Sequence, residues 1–232
     1  MKAEDQTNPL PEASATEVIA WALQTHAPRI AIAASFSMED VAVIDMATRI
    51  LPGIRVFALD TGRLHEETYE CAEAVRRRYN LTITWLCPRQ EAVEALETSQ
   101  GLYSFRESVV ARRACCGCRK VEPLGRALQG LTAWMTGMRR EHGVTRHALG
   151  KIETDAMHGG IIKVNPLADW SQADLLAYTT EHNLPVHGLY SRGYTSIGCA
   201  PCTRPVSPGE EPRAGRWWWE QPEHKECGLH GR

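Results

Sequence analysis

Cys115-Cys116 and, far along the chain, Cys199-Ala200-Pro201-Cys202 form two separated thiol pairs. Two such pairs can bring four thiolates to one metal centre. A structural zinc site is the plain alternative. Adjacent cysteines would strain one small zinc tetrahedron, whereas an iron–sulfur cluster offers them separate irons. Cys118 is a further candidate ligand, left spare because one helical turn does not easily aim three thiolates at one cluster. Cys71 and Cys87 fall inside helical and strand patterns and are expected to be buried small hydrophobes. Cys227 differs. It lies in Lys225-Glu226-Cys227-Gly228-Leu229-His230, in a segment with no core to hide in and with cations close by, the setting a reactive thiolate needs.

Three turns add polar groups that suit an anion. Ser35-Phe36-Ser37-Met38-Glu39-Asp40 follows one apolar run and leads into a helical pattern. Hydroxyls and backbone N–H groups at such a turn make an anion pocket, although a simple helix cap would read the same way. The glycines and lysine of a Walker-type loop are missing. Leu59-Asp60-Thr61-Gly62-Arg63 follows a second run, which puts Asp60, Thr61 and Gly62 at the same end of the sheet as Ser35, Phe36 and Ser37. Thr136-Gly137-Met138-Arg139-Arg140, with Arg146 beyond, is the third; guanidinium forks suit phosphate or sulfate. Lys120 follows Cys116 by one helical turn and shares its face, where it can offset cluster charge and meet an anionic substrate.

These groups need a scaffold that gathers them. Short apolar or β-branched runs at 29–35, 54–60, 81–86 and 131–137 read as buried parallel strands, with 161–164 as a possible fifth. Helical patterns at 38–51, 64–79, 116–128 and 171–183 alternate with them. The fold class expected is α/β, a doubly wound and mostly parallel sheet, with ligands at the carboxyl ends of its strands. The organisation expected is an N-terminal segment and helix (1–28), an α/β nucleotide- and cluster-binding domain (29–202) and a flexible C-terminal arm (203–232). The arm is rich in proline and charge and carries the Trp217-Trp218-Trp219 run.

A formal net charge of -2 over 232 residues argues against a general nucleic-acid or acidic-membrane binder. The polar N-terminus holds no apolar leader core, and no run is long enough to span a membrane. A cytoplasmic protein is expected. In that reducing compartment eight cysteines point to metal or redox chemistry before disulfides.

Taken together, SFSMED at 35–40, LDTGRLHEET at 59–68, CCGCRKVEPL at 115–124, TGMRR at 136–140, GCAPC at 198–202 and KECGLH at 225–230 resemble the assimilatory adenylyl-sulfate reductase family, within the larger PAPS reductase group. The resemblance implies an adenine-nucleotide α-hydrolase-like fold with a [4Fe–4S] cluster on Cys115, Cys116, Cys199 and Cys202. It implies that Cys227 attacks the sulfur of adenosine 5′-phosphosulfate (APS), and that thioredoxin or a glutaredoxin then releases sulfite. Lys120, Arg146, Arg213, Arg216 and His230 are the cations expected near the sulfonate. Relatives that act on PAPS generally lack the cysteine pairs, so the pairs favour APS. After TGMRR the chain reads Glu141-His142-Gly143, a departure from the family that leaves Arg139, Arg140 and Arg146 as alternatives for the phosphate contact. A homo-oligomer is expected. Two other readings are a PAPS reductase that retains a cluster and an ATP-pyrophosphatase-type nucleotide enzyme; a zinc-stapled binding protein is a third.

Overall fold

The computed structural model describes residues 12–142, 146–221, 225 and 229. Six strands form one sheet in the order β3-β2-β1-β4-β6-β5, where β1 is Ile30–Ala33, β2 Val56–Leu59, β3 Ile83–Leu86, β4 Ala133–Met135, β5 Ile152–Asp155 and β6 Ile161–Val164. All neighbours pair in parallel except β5, which runs antiparallel to β6. The strand order reverses at β1, between β2 and β4. That is the topological switch point at which open α/β sheets leave a crevice for ligands.

Strand β1 shows how the sequence fixes the layers. Ile30 and Ile32 point into the larger core cluster, and Ala31 between them points into the smaller one. Successive side chains alternate faces, so a continuous apolar run is what a sheet covered on both sides requires. Helices α1 (Ala15–His26), α2 (Met38–Ile50), α3 (Glu66–Tyr79) and α7 (Gln172–Glu181) cover the first face. On the other, α6 (Glu122–Ala127) packs against β2 and β3, and α4 (Gln90–Gln100) and α5 (Val109–Cys116) lie around it.

Several expectations need correction. Strand β3 is an edge strand and only half-buried, so the 81–86 run is not a fully buried one. Cys87, just past its end, is exposed rather than a core hydrophobe, while Cys71 is buried as expected. The helix expected at 116–128 is in fact the end of α5, a wide π-type turn over Gly117–Val121, and then α6. Residues 203–232 were expected as a flexible arm; among those described, parts of the stretch are packed and 207–212 are exposed. Thr203 bridges Arg216, and the Trp217 ring is 1% exposed. No described helix is long and apolar enough to cross a membrane.

His187 fastens the segment after α7 to α3. Its Nδ1 accepts from the Leu189 N–H at 3.3 Å, which leaves Nε2–H to meet the Thr68 hydroxyl at 3.0 Å. The ring is therefore held neutral, and burial pushes its pKa down from 6.5 to about 4. Between those values the unfolded chain binds a proton that the native ring refuses, so stability falls as pH drops from about 6.5 to about 4. The loss expected is about 3 kcal/mol at most. Urea unfolding of the native protein and of His187→Gln across that range checks it: the variant's profile should be flatter, and an equally steep one would contradict the assignment.

Candidate active site and thiol pocket

A cavity of about 250 Å³ opens at the carboxyl ends of β1, β2 and β4. Of the residues expected from sequence, Ser35, Phe36, Ser37, Thr61, Gly137, Lys120, Arg146, Arg213 and Arg216 all line it. Cys227 and His230 lie outside the described residues. Two described residues of the same segment reach the site. Leu229 lines the cavity and packs with the Phe57, Leu124 and Trp134 cluster, and the Lys225 carbonyl accepts from Arg213 Nη2 at 3.2 Å.

The first turn works differently from the simple anion pocket expected of it. Ser35 donates from its N–H at 2.6 Å and its hydroxyl at 2.7 Å to Asp40, whose other oxygen accepts from the Gly137 N–H at 3.1 Å. Asp40 thus ties the turn after β1 to the turn after β4 across the switch point. Burial raises its carboxyl above the ordinary range, while those hydrogen bonds oppose the rise. Gly137 is required by this closeness, since a Cβ there would sit 2.6 Å from Asp40 Oδ1 and 2.7 Å from Glu39 Cβ. Phe36, between the two serines, is held at φ 60 with its side chain buried, a conformation that costs an L-residue energy and clusters at functional sites.

Asp60 and Gly62 are not among the lining residues; they shape the turn that presents Thr61. Asp60 accepts from the Gly62 N–H at 2.8 Å and the Tyr69 hydroxyl at 3.0 Å, and Gly62 sits at φ +68. Among the three arginines left open, Arg146 lines the cavity. Arg139 is buried against Glu39 at 3.0 Å and Gln172 at 2.6 Å, and Arg140 Nε donates to the Leu149 carbonyl at 2.8 Å.

Behind this cavity lies a smaller pocket lined by Cys115, Cys116, Cys199 and Cys202 together with Arg63, Arg112, Arg119, Lys120, Phe105 and Trp217. Lys120 and Cys199 line both spaces, so the two meet at these side chains. Cys118 lines neither. Gly198 lets the C-terminal segment close over this junction, because a Cβ would lie 2.5 Å from an Arg216 nitrogen. Burial pushes the Cys202 thiol up to about 12, with the neighbouring Cys199 adding to the rise. Burial would raise Cys199 too, but Lys120, the Thr61 hydroxyl at 3.3 Å and Arg216 bring it below the ordinary thiol value. Among the described residues no three His, Cys, Asp or Glu side chains are gathered at the spacing of a single metal ion.

Sequence reasoning passed over several members of this site. Glu97 pairs with both Arg63 (2.8 Å) and Arg119, which holds two cations at the thiol pocket. Arg119 also donates to the Thr61 carbonyl at 2.7 Å. Trp85, which lines the first cavity, packs on Phe36 with ring centroids 5.8 Å apart. Glu97 carries no local signal of its role. Trp85 carries only that of an aromatic near a strand end that faces the crevice.

Switch-point cavity, cation cluster and thiol pocket together mark an α/β protein with an anion-suited crevice beside four thiols. A family model described as the phosphoadenosine phosphosulfate reductase domain matches residues 29–205, and the chain belongs to that family. It is 47% identical over 226 residues to the adenosine 5′-phosphosulfate reductase of Allochromatium vinosum, covering 97% of this chain and 88% of that protein. With the Burkholderia cepacia protein of the same name the identity is 48% over 202 residues, covering 87% of this chain and 80% of the relative. The crystal structure of a Candida auris phosphoadenylyl-sulfate reductase superposes with TM-score 0.72 at 30% identity, covering 84% of this chain and 93% of that one. A Candida glabrata FMN adenylyltransferase, at TM-score 0.58 and 16% identity, shares the fold.

Proposed function

We propose that the chain reduces APS to sulfite and AMP through a thiosulfonate on Cys227. The observation that carries this reading is the junction at Lys120 and Cys199, where the nucleotide cavity and the thiol pocket meet. An adenylate with a terminal sulfate fits a crevice lined both by apolar side chains (Phe57, Leu124, Trp134) and by the cations Lys120, Arg146, Arg213 and Arg216. These cations offset the charge on the departing AMP phosphate and on the sulfonate.

The Cys227 thiolate attacks the sulfate sulfur, the S–O bond to the phosphate breaks with its electron pair on AMP, and an S–SO₃⁻ group remains on the cysteine. A thiolate of a dithiol protein, thioredoxin or a glutaredoxin, attacks the Cys227 sulfur and sulfite leaves. Its second thiol then closes a disulfide and frees Cys227. Two thiols are oxidised, and sulfur passes from the sulfate to the sulfite oxidation level.

The four pocket cysteines suit a [4Fe–4S] cluster. They share one pocket without converging on a single ion's position, and the cations around them offset a negative, thiolate-bound group. Held by Cys115, Cys116, Cys199 and Cys202, that group would supply a fixed electrostatic field beside the substrate, with electrons passing only through thiols. The cysteine pairs and the APS reductase relatives at 47% and 48% identity favour APS over PAPS.

The test is turnover with APS and with PAPS on protein purified without oxygen, with iron, acid-labile sulfide and zinc measured on the same sample. Preference for APS and about four irons and four sulfides per chain are expected. Preference for PAPS would overturn the substrate assignment, and zinc without sulfide would overturn the cluster.

A further inference from the structure

One wall of the thiol pocket comes from the C-terminal segment, and an ion pair buried on both sides fastens it. Arg112 on α5 donates from Nε and Nη2 to the two carboxylate oxygens of Glu220 at 2.8 and 2.9 Å. The two side chains are 1% and 4% exposed and stand 108 residues apart in the chain. The Arg112 guanidinium also hydrogen-bonds the Cys116 thiol, so a single side chain touches both the thiol pocket and the segment that covers it.

Trp217 is the wall itself. The guanidiniums of Arg112 and Arg216 both lie over its ring, at 4.7 and 4.6 Å from the ring centroid. Its backbone N–H donates to the Cys202 carbonyl at 3.1 Å, and that backbone is held at φ 38. Trp219 packs on Phe105, which lines the same pocket. A tryptophan held in the left-handed region persists only where its surroundings over-determine it. A buried arginine left without its carboxylate turns toward water. Loss of Glu220 would therefore undo the wall and leave the thiols within reach of solvent.

We propose that Arg112 and Glu220 form a staple that seals the thiol pocket with the C-terminal segment, so that retention of a metal centre depends on Glu220. The part about retention rests on the cluster reading above; the sealing does not. Glu220 is a positioning residue, since it acts on the pocket through Arg112 and Trp217.

The experiment uses full-length protein carrying Glu220→Gln, with Glu220→Asp as the variant that keeps the charge and Glu210→Gln as control. Glu210 pairs with Arg204 on the same segment, half-exposed to solvent. Anaerobic transfer of iron to a ferrous chelator should be at least tenfold faster in Glu220→Gln, slower again in Glu220→Asp, and unchanged in Glu210→Gln. In metal-free protein, iodoacetamide should alkylate Cys115, Cys116 and Cys202 faster by a similar factor. Cys71, buried in the core, and Cys118, outside both cavities, should keep their rates. If the native protein holds no iron but alkylation of the pocket thiols still accelerates, the cluster reading fails and the staple stands. Unchanged alkylation would overturn the staple. So would a rise at Cys71 in step with the others, since that would mean global loosening. Should Glu220→Gln not fold, Glu220→Asp is compared with native protein by the same two rates, and identical rates would overturn it equally.

Discussion

Cys227→Ser is expected to abolish sulfite formation, with a fall of about four orders of magnitude or more, the scale on which loss of a nucleophile is felt. A serine hydroxyl at neutral pH attacks sulfate sulfur poorly, since it has no appreciable anionic fraction. Even a sulfated serine would carry an S–O bond, which a dithiol does not cleave by exchange. AMP binding should be nearly unchanged, because the cavity walls at Ser35–Ser37, Thr61 and Gly137 belong to the sheet and its turns. Sulfite release in the presence of a dithiol reductant, alongside AMP affinity, separates the two effects. Turnover above about a hundredth of the native rate would remove Cys227 from the mechanism.

Lys120→Ala should lower kcat/KM by about 10²- to 10³-fold, as expected when a preorganised cation leaves a site of developing charge. Lys120 lines both cavities and acts directly on the Cys199 thiol, by charge and by a hydrogen bond. It carries no thiol and is not a ligand, so iron and sulfide per chain should stay close to native. Lys120→Arg, which keeps the charge in a bulkier fork, should recover part of the loss. The measurement is steady-state turnover with iron analysis on the same preparations. Iron lost in proportion to activity would make the lysine structural and detach it from the chemistry.

The strand ends were the legible part of this chain. Continuous apolar runs ending in Ser35, Asp60 and Gly137 mark β1, β2 and β4, and polar groups at one end of a parallel sheet must meet at its crevice. The cysteine pairs were legible as pairs, and Cys115, Cys116, Cys199 and Cys202 do line one pocket. Strand β5 was not, since Ile152–Asp155 is short, polar and antiparallel, with only β6 beside it. Helices α4 and α5 carry too few buried residues for a clear apolar stripe; α4 has none fully buried. What no local pattern encodes is pairing at long range. Ser35 reads as a donor for a ligand until Asp40 is seen to hold it, and Asp60 as a lining residue until Tyr69 and Gly62 take up its oxygen. Residues 203–221 read as a loose arm because nothing periodic shows that Trp217 and Glu220 close on Arg112.

The most direct test of the mechanism is to incubate the protein with APS in the absence of any dithiol and map the tryptic peptides by mass. One sulfonate group on the peptide that contains Cys227, lost as sulfite when thioredoxin is added, is the result predicted. The adduct on Cys118 instead, or AMP released with no adduct on any cysteine, would contradict it.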